Sequence, residues 1–186
     1  MRGLLQILHV ALLTGFLLLL GGGGGRANHI ALHEGPFGGM ILAFVVDPQN
    51  PKTLYLGTFG RGVFKSVNMG KVWISINEGL GNLRVLALAI DPMTPTTLYA
   101  GTDGGVFKST DGGKRWAAAG LEGCNVRALA LDSRYPTTLY AGTDRGVFKS
   151  TDGSSSWLAV NHGLESFDVR ALAVDPADPF TLYAGL

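Results

Sequence analysis

The sequence is poor in cysteine, in charge and in metal-binding patterns, and each shortage excludes a class of protein. Cys124 is the single cysteine among 186 residues, so we expect neither an intramolecular disulfide nor a cysteine-based zinc site. Charged residues make up 16% of the chain and the net charge is +1. No basic cluster is present to neutralise phosphates, which excludes a typical nucleic-acid partner. His29 and His33 lie among glycine and proline rather than in a helix, so they do not predict a zinc site.

No phosphate-binding loop, nucleophile elbow or nucleotide fingerprint occurs in the chain. The sequence therefore predicts no cofactor and no metal.

The first 27 residues differ in composition from the rest of the chain. Arg2 precedes an apolar run over residues 4–20, five glycines follow, and Gly25 and Ala27 are small residues suited to cleavage. We interpret residues 1–27 as a secretory signal peptide or, because the apolar run is long, as an uncleaved N-terminal membrane anchor. Residues 28–37 are a lead-in. Both interpretations predict an exported protein, whether secreted, periplasmic or held at the cell surface.

An internal repeat organises the rest of the chain. The aspartates that follow four apolar runs, at Asp47, Asp91, Asp132 and Asp175, are 44, 41 and 43 residues apart. Each of the first three units contains an apolar run, a Thr-Leu-Tyr segment, a Gly-Val-Phe-Lys-Ser segment and a segment that begins just before a tryptophan. We interpret these segments as four short strands, of which the continuously apolar first is buried on both faces. Such units are typical of the antiparallel blades of a β-propeller, so the predicted fold class is all-β.

The repeat predicts about three and a half blades. They occupy residues 38–76, 83–119 and 125–161, and an incomplete fourth covers residues 168–186. Propellers usually close with four to eight blades, so we expect this chain to be a fragment of a longer protein. In the alternative case, the open blade edges would be free to associate.

An eight-residue phrase, Ser-x-Asp-x-Gly-x-x-Trp, recurs between the third and fourth predicted strands, and we call it the repeat turn. Its aspartate can accept hydrogen bonds from backbone N–H groups of the turn, and its glycines permit positive φ where the chain reverses. Its tryptophan can bury its ring in the interior. Asparagine replaces aspartate in the first copy, where we expect a kept but weaker turn. The residues assigned to this structural role are Ser66, Asn68, Gly70 and Trp73, then Ser109, Asp111, Gly113 and Trp116, and finally Ser150, Asp152 and Trp157.

The repeat turn resembles the Asp-box, or BNR repeat, of sialidases, sortilin-type propellers, xyloglucan-active glycoside hydrolases and Ycf48-type photosystem II assembly factors. The wider pattern, with VRALAVDPADPFTLYAG near the end of the chain, is similar to exported bacterial propellers of the sortilin/Ycf48-like kind. The resemblance covers residues 35–186 and implies a propeller in which this turn is structural. It is specific for fold and unspecific for activity.

Two arginines interrupt the repeat and are the candidate binding residues. Arg127 and Arg170 occupy equivalent places in adjacent first strands, where the earlier units have Leu42 and Leu86. Near a central channel, two arginines would bind an anion. No pair of acidic residues departs from the repeat as glycoside hydrolysis would require, so no catalytic residue is assigned.

We therefore interpret the chain as a non-enzymatic exported scaffold whose partner is a protein or a cell-surface glycan. A membrane would be involved only through the N-terminal anchor. The alternative is a glycoside hydrolase, sialidase-like or xyloglucanase-like, whose catalytic residues lie partly outside this chain.

Overall fold

A computed structural model of the chain describes residues 39–186. The predicted signal peptide or anchor, His29 and His33 lie outside the described residues. Within residues 39–186 no helix is long and apolar enough to cross a membrane.

The regular structure of this part of the chain is built from antiparallel β-strands, which confirms the predicted all-β architecture of four-stranded blades. Three sheets have four strands each, hydrogen-bonded in chain order, and a fourth sheet has two. Blade one is β1 (Ile41–Val46), β2 (Leu54–Thr58), β3 (Gly62–Ser66) and β4 (Ile74–Ser75). Blade two is β5 (Val85–Ile90), β6 (Leu98–Thr102), β7 (Gly105–Ser109) and β8 (Ala117–Ala118). Blade three is β9 (Val126–Leu131), β10 (Leu139–Thr143), β11 (Gly146–Ser150) and β12 (Leu158–Ala159), and blade four is β13 (Ala171–Val174) with β14 (Leu182–Gly185).

The fourth strand of each complete blade begins later than the sequence predicts. It has two residues and starts after the tryptophan rather than before it. In blade two the reason is visible, because the backbone N–H of Trp116 donates to the carbonyl of Glu78, in the link that follows blade one, at 2.8 Å. The tryptophan thus belongs to the junction between blades and not to the ladder of its own sheet.

The most buried strand of each complete blade is the second and not the first. All five residues of β2, β6 and β10 are buried, whereas β1 exposes Phe44 and Val46. The second strand is hydrogen-bonded on both sides and faces the neighbouring blade. Its glycine permits that approach, since a Cβ at Gly57 would come within 2.6 Å of Val85 in blade two.

Apolar packing is distributed along the junctions between blades. One cluster joins Tyr55 and Val63 of blade one to Val85, Leu98 and Trp116 of blade two. A second cluster joins blades two and three, and a third joins Tyr140 and Val147 to Val169 at the start of blade four. Each blade is therefore stabilised mainly by its neighbours, as in other repeat proteins.

Candidate functional site

The blades have two ends, and the polar side chains at each end serve different purposes. At the first end, which we call the turn end, the repeat turn contacts the loop between the first and second strands. The N–H of Gly112, for example, donates to the carbonyl of Thr96 at 2.8 Å. At the opposite end, which we call the rim, the start of each first strand lies beside the turn between the second and third strands.

The repeat turn of blade two is a closed set of local hydrogen bonds. Ser109 Oγ donates to Asp111 Oδ1 at 2.8 Å and accepts from the N–H of Gly113 at 2.9 Å. Asp111 Oδ1 also accepts from the N–H of Arg115 at 3.0 Å. That backbone bond, followed by the one from Ser109, holds the pKa of the Asp111 carboxyl below its ordinary value.

The copies in blades one and three keep this hydrogen-bond scheme. In blade three, Ser150 Oγ accepts from the N–H of Ser154, and Asp152 receives hydrogen bonds from both the hydroxyl and the N–H of Ser156. In blade one, Ser66 Oγ donates to Asn68 Oδ1 at 2.9 Å. Asn68 Oδ1 accepts from Val72 and Ser66 Oγ accepts from Gly70, each at 2.9 Å. Asparagine therefore supplies the acceptor that the turn geometry requires.

The repeat turns of blades two and three also fasten each of these blades to the preceding one. Lys65 Nζ of blade one donates to the carbonyl of Gly112 in blade two at 3.1 Å, and Trp116 Nε1 donates back to the carbonyl of Ile76 at 2.7 Å. We call this pair of bonds the blade latch. Between blades two and three it is repeated by Lys108 Nζ with Gly153 O at 2.8 Å and by Trp157 Nε1 with Ala119 O at 2.8 Å.

The latch lysine also lies over a buried tyrosine of its own blade. The distance from Nζ to the ring centroid is 5.2 Å for Lys65 over Tyr55 and 5.4 Å for Lys108 over Tyr99. Burial raises the pKa of both tyrosines to about 12 and lowers the pKa of Lys65. The sequence does not single out these lysines, because Gly-Val-Phe-Lys-Ser has the pattern of an ordinary half-exposed strand.

The aspartates that set the repeat period close the loops between first and second strands. Asp91 Oδ1 accepts from the N–H groups of Met93 and Thr94, at 2.8 and 3.0 Å. The equivalent carboxylates Asp47, Asp132 and Asp175 accept from the same two positions of their loops. These four carboxylates are therefore turn-forming groups.

The rim carries the side chains that interrupt the repeat. Arg84 forms an ion pair with Asp103, 2.7 Å from Nη1 to Oδ2, and its guanidinium lies 4.2 Å from the centroid of the Phe59 ring. In blade three the N–H and side-chain amide of Asn125 donate to the carboxylate of Asp144, at 3.0 and 2.7 Å. Desolvation by burial raises the pKa of the Asp144 carboxyl, but these hydrogen bonds from Asn125 lower it, and the net shift is downward.

The two arginines predicted to bind an anion lie on either side of Asp168. Arg127 forms an ion pair with its Oδ1 atom, and Arg170 Nε and Nη2 lie 3.0 and 2.9 Å from its Oδ2 atom. The side chain of Arg170 is 72% exposed and that of Arg127 33%. An external anion would therefore compete with Asp168, and anion binding by these two residues stays a prediction. Sequence reasoning missed Asp168 because it precedes its strand without a counterpart in the repeat.

Metal-binding and nucleophilic groups are sparse in the described residues. Residues 39–186 contain no group of three or more His, Cys, Asp and Glu side chains placed to hold a metal ion. Cys124 is buried, and desolvation raises the pKa of its thiol. A cleft of about 420 Å³ at the turn end lies along the latch between blades two and three, lined by Lys108, Asp111, Trp116 and Ser154 among others.

Neither a protein-family profile nor a curated protein sequence matches the chain. Solved structures do match. An ancestral GH74 enzyme superposes on 80% of the chain with a TM-score of 0.72 and 26% identity, and the chain covers 22% of that enzyme. The extracellular domain of a putative one-component system from B. thetaiotaomicron matches 78% of the chain with a TM-score of 0.64 and 20% identity, and 20% of its own length is covered.

Ycf48 from Cyanidioschyzon merolae matches 68% of the chain with a TM-score of 0.54 and 16% identity, and the chain covers 38% of it. The chain thus spans between about a fifth and two fifths of these proteins. At these identities the comparison with Ycf48 and the extracellular domain concerns the fold alone. The described part of this chain is a run of consecutive β-propeller blades.

Proposed function

We propose that this protein is an exported, non-enzymatic β-propeller scaffold that binds a protein or a cell-surface glycan at the rim. The observation that carries the proposal is the use of the rim carboxylates. Asp103, Asp144 and Asp168 are each held by an arginine or an asparagine of the same chain. We therefore infer that these carboxylates neutralise and orient neighbouring side chains and are not catalytic groups.

What the rim presents to solvent suits recognition. The guanidinium of Arg170 is largely exposed beside Asp168, and the half-exposed ring of Phe59 carries Arg84 over one face. Planar guanidinium groups bind carboxylates bidentately, and exposed aromatic rings stack on apolar faces of ligands. An acidic glycan or an acidic loop of a protein would contact both the guanidinium of Arg170 and the ring of Phe59.

Export is part of the same proposal. The predicted signal peptide or anchor supports it, and the match to an extracellular domain from B. thetaiotaomicron points in the same direction. Kinship with Asp-box propellers of the sortilin/Ycf48-like kind is likewise proposed, on the strength of the repeat turn and its hydrogen bonds.

The test uses sialyllactose as an acidic glycan probe and a xyloglucan oligosaccharide as a neutral one, each titrated calorimetrically into the full chain. We expect sialyllactose to bind, and Arg170→Ala to weaken its binding by about tenfold or more, because charge-assisted hydrogen bonds are the strong ones. Arg134→Ala is the matched control, since Arg134 bonds the Pro176 and Ala177 carbonyls at the turn end. Equal losses in both variants, or no binding of either probe, would contradict glycan recognition at the rim.

A glycoside hydrolase is the second candidate, favoured by the 26% identity to the ancestral GH74 enzyme. Such an enzyme needs two opposed carboxylates. Glu122 and Glu165 are the exposed carboxylates of equivalent links between blades, and no ion pair holds them within residues 39–186. Release of reducing ends from xyloglucan by the chain, abolished by Glu122→Gln or Glu165→Gln, would replace the scaffold proposal with this one.

A further inference from the structure

The cleft of about 420 Å³ at the turn end is formed by blades two and three, both of which are complete. Its lining comes from the last two strands of blade two and from the repeat turns of both blades. Its volume falls in the range of about 300–1,000 Å³ that is usual for ligand pockets. The junction between blades one and two has the same latch, so it serves as an internal comparison for the side chains of the cleft.

Small residues open the floor of the cleft. Residues 117–119 are three alanines, whereas the equivalent residues 74–76 of blade one are Ile-Ser-Ile. Ile76 packs against the repeat turn of blade two so closely that a Cβ at Gly113 would come within 2.3 Å of its Cδ1 atom. Ala119 lacks the outer carbon atoms of that isoleucine. The floor of the cleft is therefore open at a position whose larger counterpart packs tightly in the other junction.

Serine replaces glycine in the wall beside this opening. Ser154 has a φ of +76°, and the equivalent Gly70 and Gly113 have φ values of +84° and +88°. A side chain is unfavourable in this left-handed conformation, yet Ser154 has one and is 6% exposed. Its hydroxyl donates to the carbonyl of Gly153, and its oxygen remains able to accept a hydrogen bond. The cleft thus gains a polar group where the other two repeat turns have no side chain.

The repeat turn of blade two supplies further polar groups where blade one has apolar ones. Thr110 replaces Val67. Arg115 replaces Val72. The Nε and Nη2 atoms of Arg115 donate to Glu78, and Nη1 has no partner among residues 39–186. A threonine hydroxyl and a guanidinium edge therefore face a ligand at this junction, and two valines stand in their places at the other.

Asp111 adds an unused acceptor to the same wall. In blade three, Asp152 Oδ2 accepts from the hydroxyl of Ser156 at 2.6 Å. Arg115 stands at the position of Ser156 in blade two, and no side chain among residues 39–186 donates to Asp111 Oδ2. The turn itself needs only Oδ1, which accepts from Ser109 Oγ and from the N–H of Arg115. The second oxygen is available to a ligand.

We propose that this cleft binds one pyranose ring of a neutral sugar. The charges of the site balance, since the cations are Lys108 and Arg115 and the carboxylates are Asp111 and Glu78. A sugar presents hydroxyls that both donate and accept, together with an apolar C–H face. The free carboxylate oxygen and guanidinium N–H groups suit the hydroxyls, and the alanine methyl groups suit the C–H face. The site is distinct from the rim and does not rest on the function proposed there.

The experiment adds the methyl glycosides of glucose, galactose, mannose and N-acetylglucosamine to the isotope-labelled full chain and follows its backbone amide signals by NMR. We expect at least one of these sugars to shift the signals of residues 117–119 and 154–155 saturably. The expected dissociation constant is about 1–10 mM, the usual range for so small a ligand.

The first variant removes the free acceptor and keeps the turn. Asp111→Asn should weaken sugar binding by about tenfold through loss of a charged acceptor. The turn should persist, because Asn68 makes the same hydrogen bonds in blade one. Asp152→Asn is the matched control, since it makes the same change in a repeat turn whose aspartate does not line the cleft. It should leave sugar binding unchanged.

The second variant closes the cleft. Ala119→Ile combined with Ser154→Gly rebuilds the pair that Ile76 and Gly113 form at the other junction. It should abolish sugar binding without lowering the melting temperature, because it also removes the left-handed serine.

The cleft and the rim can be tested separately. Arg170→Ala should leave binding of the methyl glycoside unchanged, and Asp111→Asn should leave binding of sialyllactose at the rim unchanged. Failure of one site therefore does not decide the other.

Four results would overturn the proposal. The first is the absence of saturable shifts at the cleft with all of the sugars, and the second is an equal loss of affinity in Asp111→Asn and Asp152→Asn. The third is sugar binding retained by the variant with the closed cleft. The fourth is a shift of the same signals by acetate or phosphate but by none of the sugars, which would show that the cleft binds anions.

Discussion

The repeat turns of blades one and two make the same hydrogen bonds from different residues. Blade two uses Ser109 and Asp111, with glycine at both following positions, Gly112 and Gly113, which have φ values of +73° and +88°. Blade one uses Ser66 and Asn68 and places Met69, at φ +61°, where blade two has Gly112. The turn therefore depends on a side-chain oxygen acceptor two residues after the serine. We expect the negative charge of aspartate and the glycine that follows it to change only the stability of the turn.

The surroundings of the two turns differ more than their hydrogen bonds do. Trp116 is 3% exposed and closes the junction with blade one. In the turn of blade one, Val67, Met69 and Val72 are exposed where blade two has Thr110, Gly112 and Arg115. Each difference between the two copies can be tested separately.

The largest effect is expected from removing the tryptophans. Trp116→Ala should lower the free energy of unfolding by about 3–5 kcal/mol, because it empties a buried site between two blades and deletes the indole bond to Ile76. Trp73→Ala should cost clearly less, since Trp73 is only partly buried. Urea unfolding of both variants measures the difference. Equal losses of unfolding free energy in the two variants would mean that burial between two blades does not determine how much the tryptophan stabilises the protein.

A smaller effect is expected from restoring glycine in blade one. Met69→Gly should raise the free energy of unfolding by about 0.5–1 kcal/mol, because relief of the left-handed conformation outweighs the extra freedom of glycine in the unfolded chain. Gly112→Ala is the reciprocal control and should be destabilising by a similar amount. Thermal unfolding that moves in the same direction for both variants would contradict this account.

The smallest effect is a pH dependence confined to the two turns that contain aspartate. The hydroxyl of Ser156, and then its N–H, lowers the pKa of Asp152 to about 2. Its folded-state pKa is thus below the unfolded value, so the stabilisation is complete above about pH 4 and is lost as the pH falls through about 2. Asp152→Asn should flatten this part of the acid unfolding curve, as Asn68 already does for blade one. A curve unchanged by Asp152→Asn would show that other carboxylates carry the acid sensitivity.

Local patterns predict the fold well and the junctions poorly. The Gly-Val-Phe-Lys-Ser strand is found in all three blades at residues 62–66, 105–109 and 146–150, because glycine turns and alternating side chains act within a few residues. The sequence places the start of the fourth strand too early, since the backbone partner of Trp116 lies in the link that follows the preceding blade. The burial of the second strand also depends on the neighbouring sheet.

The candidate site is harder to predict for the same reason. Arg127 and Arg170 stand out because they break a repeat of apolar residues, and this signal is visible in the sequence. Their partner Asp168 is not visible, because its contact with Arg127 joins residues of two blades. The roles of the latch lysines are equally hidden, since Lys65 meets its acceptor 47 positions further along the chain.

The blade latch has a direction, with lysine reaching forward to the next blade and tryptophan reaching back to the preceding one. Blade two therefore carries both halves, with Lys108 for the junction with blade three and Trp116 for the junction with blade one. Duplication of one such unit creates, without any further mutation, a compatible surface on both sides of the copy, and deletion of one unit leaves two matching surfaces behind. Blade number can therefore change in whole units, because each added unit brings the lysine and the tryptophan of its own junctions.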